Sequence, residues 1–381
     1  MRYIAPLTAG LLLVLACPAS ACDLCTPQGP PLSRHVHNAR FVVFGPIVSA
    51  KLGADNLSGT SEVKIEGLVK TNGTLKENDT LTLPRYAPPD PKFKYLIFVD
   101  VVKGQLDPYL VIPFPANTRV VAYLKNAPPY DPQAKPEDKA RRLLYYFKPL
   151  QDPEPEIAAD AYKEWATASN LEVGLAAPHV SAADLRAWLL DPKTPTMRLS
   201  LYGFLLGACG TDQDADLLRR MVLNPNERTG NALDGLLAGY IRLRPQDGWK
   251  LTLEVLGDTR RPFLQRHSIL RLLRFYHGYQ PREAREPILR CMAQMLSQPD
   301  MLDLAIDQLR SWQLWELTGR ILALWGTKDA DAPVTKRSII RYALLCPLPE
   351  AKQFVAMVRQ QDPRLVKEVE ENLPFEARPR E

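Results

Sequence analysis

The chain has 381 residues, a formal net charge of +5, 46% hydrophobic residues and 24% charged ones. That is an ordinary globular balance, long enough for two or three domains with ample core. Six cysteines, five of them beyond residue 21, are too few for a disulfide-built scaffold. Residues 22–125 hold 12 Lys/Arg against 9 Asp/Glu, and residues 126–381 hold 35 against 34, so neither part reads as a basic nucleic-acid binder.

Met1-Arg2 gives a short basic start, Ile4 to Ala16 is apolar, and Ala19-Ser20-Ala21 fits the small-x-small site of a signal peptidase. Residues 1–21 read as a removed secretory signal, cut between Ala21 and Cys22. No later run is long and apolar enough to span a membrane. The rival is a lipoprotein signal, in which Cys17 or Cys22 receives lipid and tethers the chain to a membrane surface. The expected location is therefore secreted or periplasmic, or else lipid-anchored to the cell envelope.

The stretch Cys22-Asp23-Leu24-Cys25 leaves several readings open. Outside the cytosol nearby thiols tend to oxidise, so a structural disulfide is the first, within the pair or to other partners. Lipidation of Cys22 is the second. Redox chemistry is the third, although a reactive CxxC normally sits at a helix start after a strand, and no strand can precede Cys22 in the mature chain. The fourth is a zinc site that adds His35 and His37, with His-x-His placing both rings on one side of a strand. RHVHNAR reads more simply as a cationic surface segment.

From Ala39 to Val121 the pattern is that of strands. Phe41 to Phe44 and Ile47-Val48 come first. Ser61 to Glu66 alternates cleanly, with Val63 and Ile65 on one face. Thr80 to Leu83 stops at Pro84. Tyr95 to Val99 lacks alternation and is expected to be buried on both faces, with Val101-Val102 extending it. Leu110 to Ile112 ends before Pro113. Short strands at this spacing imply a small antiparallel barrel or sandwich over residues 22–125. Residues 126–138, with four prolines, form a linker.

Helices follow: Arg141 to Phe147, Glu156 to Thr167, and one opened by Ser181, which can cap its first turn. Paired helices then recur. The first members begin near Arg198, Ala232, Arg266, Met301 and Arg337, steps of about 34 to 36 residues. The second members are Asp214 to Val222, Gly248 to Leu256, Pro287 to Leu296, Trp315 to Leu324 and Glu350 to Val358. Period and pairing point to a HEAT-like α-solenoid over residues 139–375, followed by a disordered tail, 376–381. The fold class is α+β, a small N-terminal barrel leading into the solenoid.

No HExxH, GxSxG, phosphate loop or GxGxxG occurs, so no enzyme activity or cofactor is implied. Cys209, Cys291 and Cys346 read as small buried hydrophobes. Asn56, Asn72 and Asn78 begin sequons that mark surface loops. His267, Arg271 and Arg274 share a helix face near Arg260, Arg261 and Arg266. A solenoid's inner face commonly binds a partner, so Arg266, His267, Arg271 and Arg274 suggest a site for an acidic peptide or an anionic polymer.

Cys22 followed by ARFVVFGPIVSAKL, SEVKIEGLVKTNGTL and KYLIFVDVVKGQLDPY resembles, in strand order, the netrin-like, oligonucleotide/oligosaccharide-type barrel of tissue inhibitors of metalloproteinases and their bacterial relatives. Those inhibitors open Cys-x-Cys, whereas this chain has Cys22-x-x-Cys25. The resemblance implies an OB-like barrel over residues 22–125. It also implies that the α-amine and carbonyl of Cys22 could chelate a protease's zinc, with Asp23 and Leu24 following into the cleft. As a whole, with SEVKIEGLVK, LTLPRYAPPDPKFKYLIFVDVVKGQLDPY and DGLLAGYIRLRPQDGW, the chain is similar to a family of exported bacterial proteins that brings no known activity with it. The expectation is an exported, non-catalytic binding or scaffold protein. Metalloprotease inhibition and CxxC redox or metal chemistry are the alternatives.

Overall fold

A computed structural model describes residues 22–25, 29–55 and 58–376. The expected leader, Cys17, the cleavage position at Ala21, Asn56 and the tail beyond Glu376 lie outside the described residues. Among the described residues the chain is α+β, with seven strands in two antiparallel sheets near the N-terminus and 18 α-helices, most of them beyond the sheets.

Helix α1 (Leu32–Asn38) comes first. The strands are β1 (Phe41–Gly45), β2 (Ile47–Leu52), β3 (Gly59–Lys64), β4 (Gly67–Lys70), β5 (Thr80–Leu83), β6 (Phe93–Val102) and β7 (Gln105–Pro115). One sheet has the order β4-β1-β6-β7, the other β2-β3-β5. Five of the six expected runs fall within strands, the sixth, Ser61 to Glu66, overruns β3 by Ile65 and Glu66, and β4 is additional. Pro113 does not end its strand: β7 lies at the sheet edge, where a missing N–H costs no ladder bond.

Side-chain alternation in β1 and β6 explains why these runs carry no polar face. Phe41, Val43, Ile97 and Val99 face the second sheet, where they join Val63, Ile65, Leu81 and Leu83. Val42, Phe44, Leu96 and Phe98 face the other way and merge with the core of the helical region. That core runs on without a break as far as Val366 and Val369.

The remaining helices are α2 (Val120–Asn126), α3 (Pro136–Leu143), α4 (Pro155–Thr167), α5 (Asn170–Ala176), α6 (Ala182–Leu190), α7 (Thr196–Cys209), α8 (Asp212–Leu223), α9 (Glu227–Gly230), α10 (Leu233–Leu243), α11 (Pro245–Gly257), α12 (Phe263–Tyr279), α13 (Arg285–Met295), α14 (Leu302–Ser311), α15 (Thr318–Leu322), α16 (Pro333–Leu345), α17 (Pro349–Gln361) and α18 (Pro363–Glu376). Six of them open on proline, which costs nothing where the first-turn N–H has no intrahelical acceptor. Ser181 caps α6 by accepting the Asp184 N–H at 3.3 Å. The five expected pairs fall on α7/α8, α10/α11, α12/α13, α14/α15 and α16/α17. Only α15 is much shorter than expected, with Trp315 in the turn before it.

First helices stack on first helices (α7 on α10, α10 on α12, α14 on α16), and second helices do likewise (α11 on α13, α15 on α17). Side chains 34 residues apart also bond between successive helix pairs. Ser200 Oγ donates to Asp234 at 2.7 Å, Arg266 to Asp300 at 2.6 Å, and Arg274 to Gln308 at 2.6 Å.

The tightest helix crossing is α7 on α10. A Cβ on Gly203 would lie 2.9 Å from the backbone of Gly235, and a Cβ on Gly239 would overlap the carbonyl oxygen of Gly203. Gly239→Ala is therefore expected to lower the unfolding free energy by about 3 kcal/mol or more, as overpacking against an unyielding backbone does. Gly319→Ala, in a helix with open space around the added methyl, is expected to raise it by roughly 0.5–1 kcal/mol. Urea titrations of the two variants check the contrast; equal effects would mean the crossing is looser than described.

Candidate functional site

Two features that the sequence singled out separately meet in space: the Cys22–Cys25 turn and helix α12. The turn is closed by the Cys25 N–H donating to the Cys22 carbonyl at 3.0 Å. Cys22, Leu24 and Cys25 are all buried and belong to the main core. The two sulfurs lie 2.8 Å apart.

Asn170 holds this turn. Its Oδ1 accepts the Asp23 N–H at 3.0 Å, and its Nδ2 donates to Asp23 Oδ2 at 2.8 Å. Asn170 is the first residue of α5, whose start is fixed by a reciprocal Ser169–Glu172 capping box. Burial raises the Asp23 carboxyl above its usual range, against the Asn170 bond and the Arg274 charge.

Beneath the turn lies Asp234 of α10, with no solvent exposure. It accepts from Ser200 Oγ of α7 and pairs with Arg271 Nε of α12 at 2.8 Å. Burial still pushes Asp234 upward. Burial, the contact with Cys22 and the nearby carboxylates together push the Cys25 thiol well above its ordinary value. A redox-active CxxC needs an exposed, stabilised thiolate, which is the opposite of this environment.

Leu24 forms one wall of a cavity of about 470 Å³, completed by Thr196, Met197, Ser200, Asn231, Leu264, His267, Ser268 and Arg271. At and beside its mouth, Leu264 is 68% exposed and Met197 38%. Phe263, 40% exposed, has its ring 5.6 Å from that of His267. Burial, with Arg274 and Arg271 nearby, lowers the His267 pKa and favours the neutral imidazole.

The expected cationic face is corrected by this arrangement. Arg266 is buried rather than displayed, donating to Gln298 at 2.5 Å and to Asp300 at 2.6 Å. Arg271 is taken by Asp234, Arg274 by Gln308 and Arg260 by Asp258. Arg266 and Arg271 thus have carboxylate partners within the fold, Arg274 has a neutral one, and Phe263 and Leu264 stand exposed on the same helix. Adding 34 to each residue number would have found two of these partners, Asp300 and Gln308.

The expected zinc set is not brought together. His35 and His37 lie on α1, not on a strand, and residues two apart on a helix point to different sides. His35 packs on Phe98 and His37 on Tyr130. Among the described residues no three of His, Cys, Asp and Glu gather as a metal site. Cys209, Cys291 and Cys346 sit separately in the helical region, and burial pushes the Cys291 thiol up to about 12.

The segment after the turn is also tied down. Asp160 of α4 accepts the Leu32 N–H at 2.7 Å and the Tyr123 hydroxyl at 2.9 Å. Arg142 binds Glu164 through both oxygens, at 2.8 and 2.9 Å, and reaches Ser33 Oγ at 2.7 Å. Asp23, Leu32 and Ser33 are thus tied to α5, α4 and α3, and the described residues 22–25 and 29–33 are called the hook. The sequence held no local signal for these anchors.

The chain was compared with family models, curated proteins and solved structures, and none of them matches.

Burial raises the Asp160 carboxyl to about 6, above the 3.8 of a free aspartate. The folded state therefore holds this proton more tightly than the unfolded chain does. The stability this provides is full below about pH 4 and is lost as pH rises through 6. The stability of the wild type relative to Asp160→Asn should then fall by about 2–3 kcal/mol between pH 4 and pH 7. Urea titration of both proteins across that range tests this; a difference independent of pH would mean Asp160 stays ionised throughout.

Proposed function

We propose that this chain is an exported, non-catalytic binding or scaffold protein of the cell envelope. In this reading an OB- or netrin-like barrel leads into a HEAT-like solenoid, and a partner protein docks on the helical surface. The 34-residue bonds and the stacking of first helices on first helices support the solenoid reading. Closure of the two sheets into a barrel is part of the proposal. So is membership of the exported family whose motifs the sequence resembles.

The observation that carries the binding role is the apolar mouth of the hook cleft. Leu264, Phe263 and Met197 stand exposed around a concave site whose charges are already paired. Large exposed hydrophobics clustered at a cleft mark interaction surfaces. Cys22 and Cys25 are free thiols in this structure with sulfurs 2.8 Å apart, and their closure into a structural disulfide is part of the proposal. Metalloprotease inhibition needs the Cys22 backbone free to enter a protease cleft, and lipidation needs its sulfur free. Here Cys22 is 2% exposed, with its sulfur against that of Cys25. The raised Cys25 thiol argues against redox catalysis.

A photo-crosslinking residue placed at Leu264, in cells of the native host, is expected to trap a discrete protein partner. The same residue at Val102, on the far tip of the β6–β7 hairpin, is expected to trap none. Crosslinks from Val102 alone would move the partner to the sheet region and overturn the cleft assignment. The intact mass of the mature protein provides a second check: a species starting at Cys22 and lighter than the dithiol by two hydrogens is expected. An added diacylglycerol mass would overturn the free, bridged N-terminus.

A further inference from the structure

A second cavity, of about 690 Å³, lies between α10, α11, α12 and α13 and shares no lining residue with the hook cleft. It exists because two helices meet closely and the next two do not fill the space beside them. A Cβ on Gly248 would stand 2.6 Å from the Ile241 Cα, so the start of α11 is pressed against the end of α10. Pro245 opens α11 at that point, and Trp249 follows one residue after the contact.

The floor is apolar and aromatic. Trp249 and Tyr276 have ring centroids 5.2 Å apart, and Ile241 and Leu253 extend the surface. The Tyr276 hydroxyl donates to the Ala238 carbonyl at 2.9 Å, so the polar end of this ring is already satisfied inside the fold.

The rim is cationic. Arg242, Lys250 and Arg290 border the cavity, and Glu283 is the only carboxylate among its lining residues. Arg290 is taken by Glu286 on its own helix. Arg242 and Lys250 are exposed and have no ion pair among the described residues; the Arg242 guanidinium rests 5.9 Å from the centre of the Tyr279 ring. This differs from Arg266 and Arg271 of α12, each of which is paired with a carboxylate within the fold. Gln246 and Gln280 also line the cavity, and their amides make no hydrogen bond within the described residues. Each such amide can both donate to and accept from a peptide backbone, which a hydrocarbon chain cannot match.

We infer that this groove binds an acidic peptide segment of a partner protein. A large apolar side chain of that segment is buried on Trp249 and Tyr276, its carboxylates face Arg242 and Lys250, and its backbone meets Gln246 and Gln280. The cavity lies within the size range of pockets that bury one ligand group. A hydrophobic anchor with flanking charge complementarity is the usual division between affinity and selectivity at such grooves. A second copy of this chain is a poorer occupant, because two cationic rims would face each other.

The test is selection of a random dodecamer phage library on the purified chain, followed by fluorescence anisotropy with the selected peptides. Selected peptides should carry net negative charge and a shared aromatic or leucine anchor. Arg242→Glu with Lys250→Glu should weaken them about tenfold or more, as removal and reversal of two rim charges does. Lys352→Glu with Arg364→Glu makes the same change in net charge on α17 and α18 and should leave affinity within about twofold. Both pairs are exposed, so folding should survive. The inference is overturned if no peptide is enriched, if the enriched peptides are neutral or basic, or if they bind the Arg242/Lys250 variant equally well. Binding of dodecanoate that depends on Arg242 and Lys250, with no peptide enriched, would assign the groove to a fatty carboxylate instead and likewise overturn it. Because the groove and the hook cleft share no residues, loss of crosslinking at Leu264 would leave this result standing.

Discussion

Helices α7 and α10 touch backbone to backbone, and both candidate sites inherit their geometry from that contact. Ser200, Gly203 and Gly207 on one helix meet Gly235 and Gly239 on the other, with no room for a side chain at the crossing. Ordinary helix pairs stand 8–10 Å apart because side chains keep them there. Bringing α10 this close to α7 forces Asp234, next to Gly235, into the core. A buried carboxylate needs partners, and Ser200 and Arg271 supply them. Arg271 in turn fixes which side of α12 faces the hook. At the other end of α10, Ile241 meets Gly248 and forms part of the floor of the second groove. One helix therefore contributes to both sites.

The hook closes this architecture from the opposite direction. Its contacts with α3, α4 and α5 join the part of the chain just before the sheets to the helical region, so the two regions share one core. The anchors are polar and buried: Asn170 to Asp23, Asp160 to Leu32, Glu164 to Arg142. Such groups add less net stability than their number suggests, since each was well solvated in the unfolded chain. Their effect is on uniqueness. An apolar segment could slide along the core, whereas the Asp23 N–H that must meet Asn170 Oδ1 and the Leu32 N–H that must meet Asp160 Oδ1 fix where each of these two residues sits.

What was legible in the sequence follows from how far each signal reaches. Strand and helix positions rest on local periodicity, and Tyr95 to Val99 was recognisable as doubly buried because an unbroken apolar run has no other stable place. The 34-residue period gave the helix pairs. The same period held more than was taken from it: Arg266 and Arg274 find their partners at Asp300 and Gln308, one period on. Read as isolated charges on a helix, they suggested an open cationic face. His35 and His37 were misplaced because a seven-residue helix after Pro30-Pro31 carries too little apolar pattern to be told from a strand. The destination of the Cys22–Cys25 turn was beyond reach, since Asn170 lies 147 residues away and no local pattern encodes that pairing.

That separation also orders events in folding. The hook is near the start of the chain, but the groove it fills needs α5, α7, α10 and α12 in place, the last ending at Tyr279. Closing so long a loop is slow compared with forming helices and stacking neighbours, so the turn docks late. Until then its two thiols are exposed and close together in sequence. In an oxidising compartment they are open to an oxidant or a disulfide isomerase during that interval; in a reducing one they are buried as thiols. The compartment in which docking takes place would therefore decide the redox state of Cys22 and Cys25, and later burial would preserve it. This links the CxxC to the proposed export more directly than any reactivity of the thiols does.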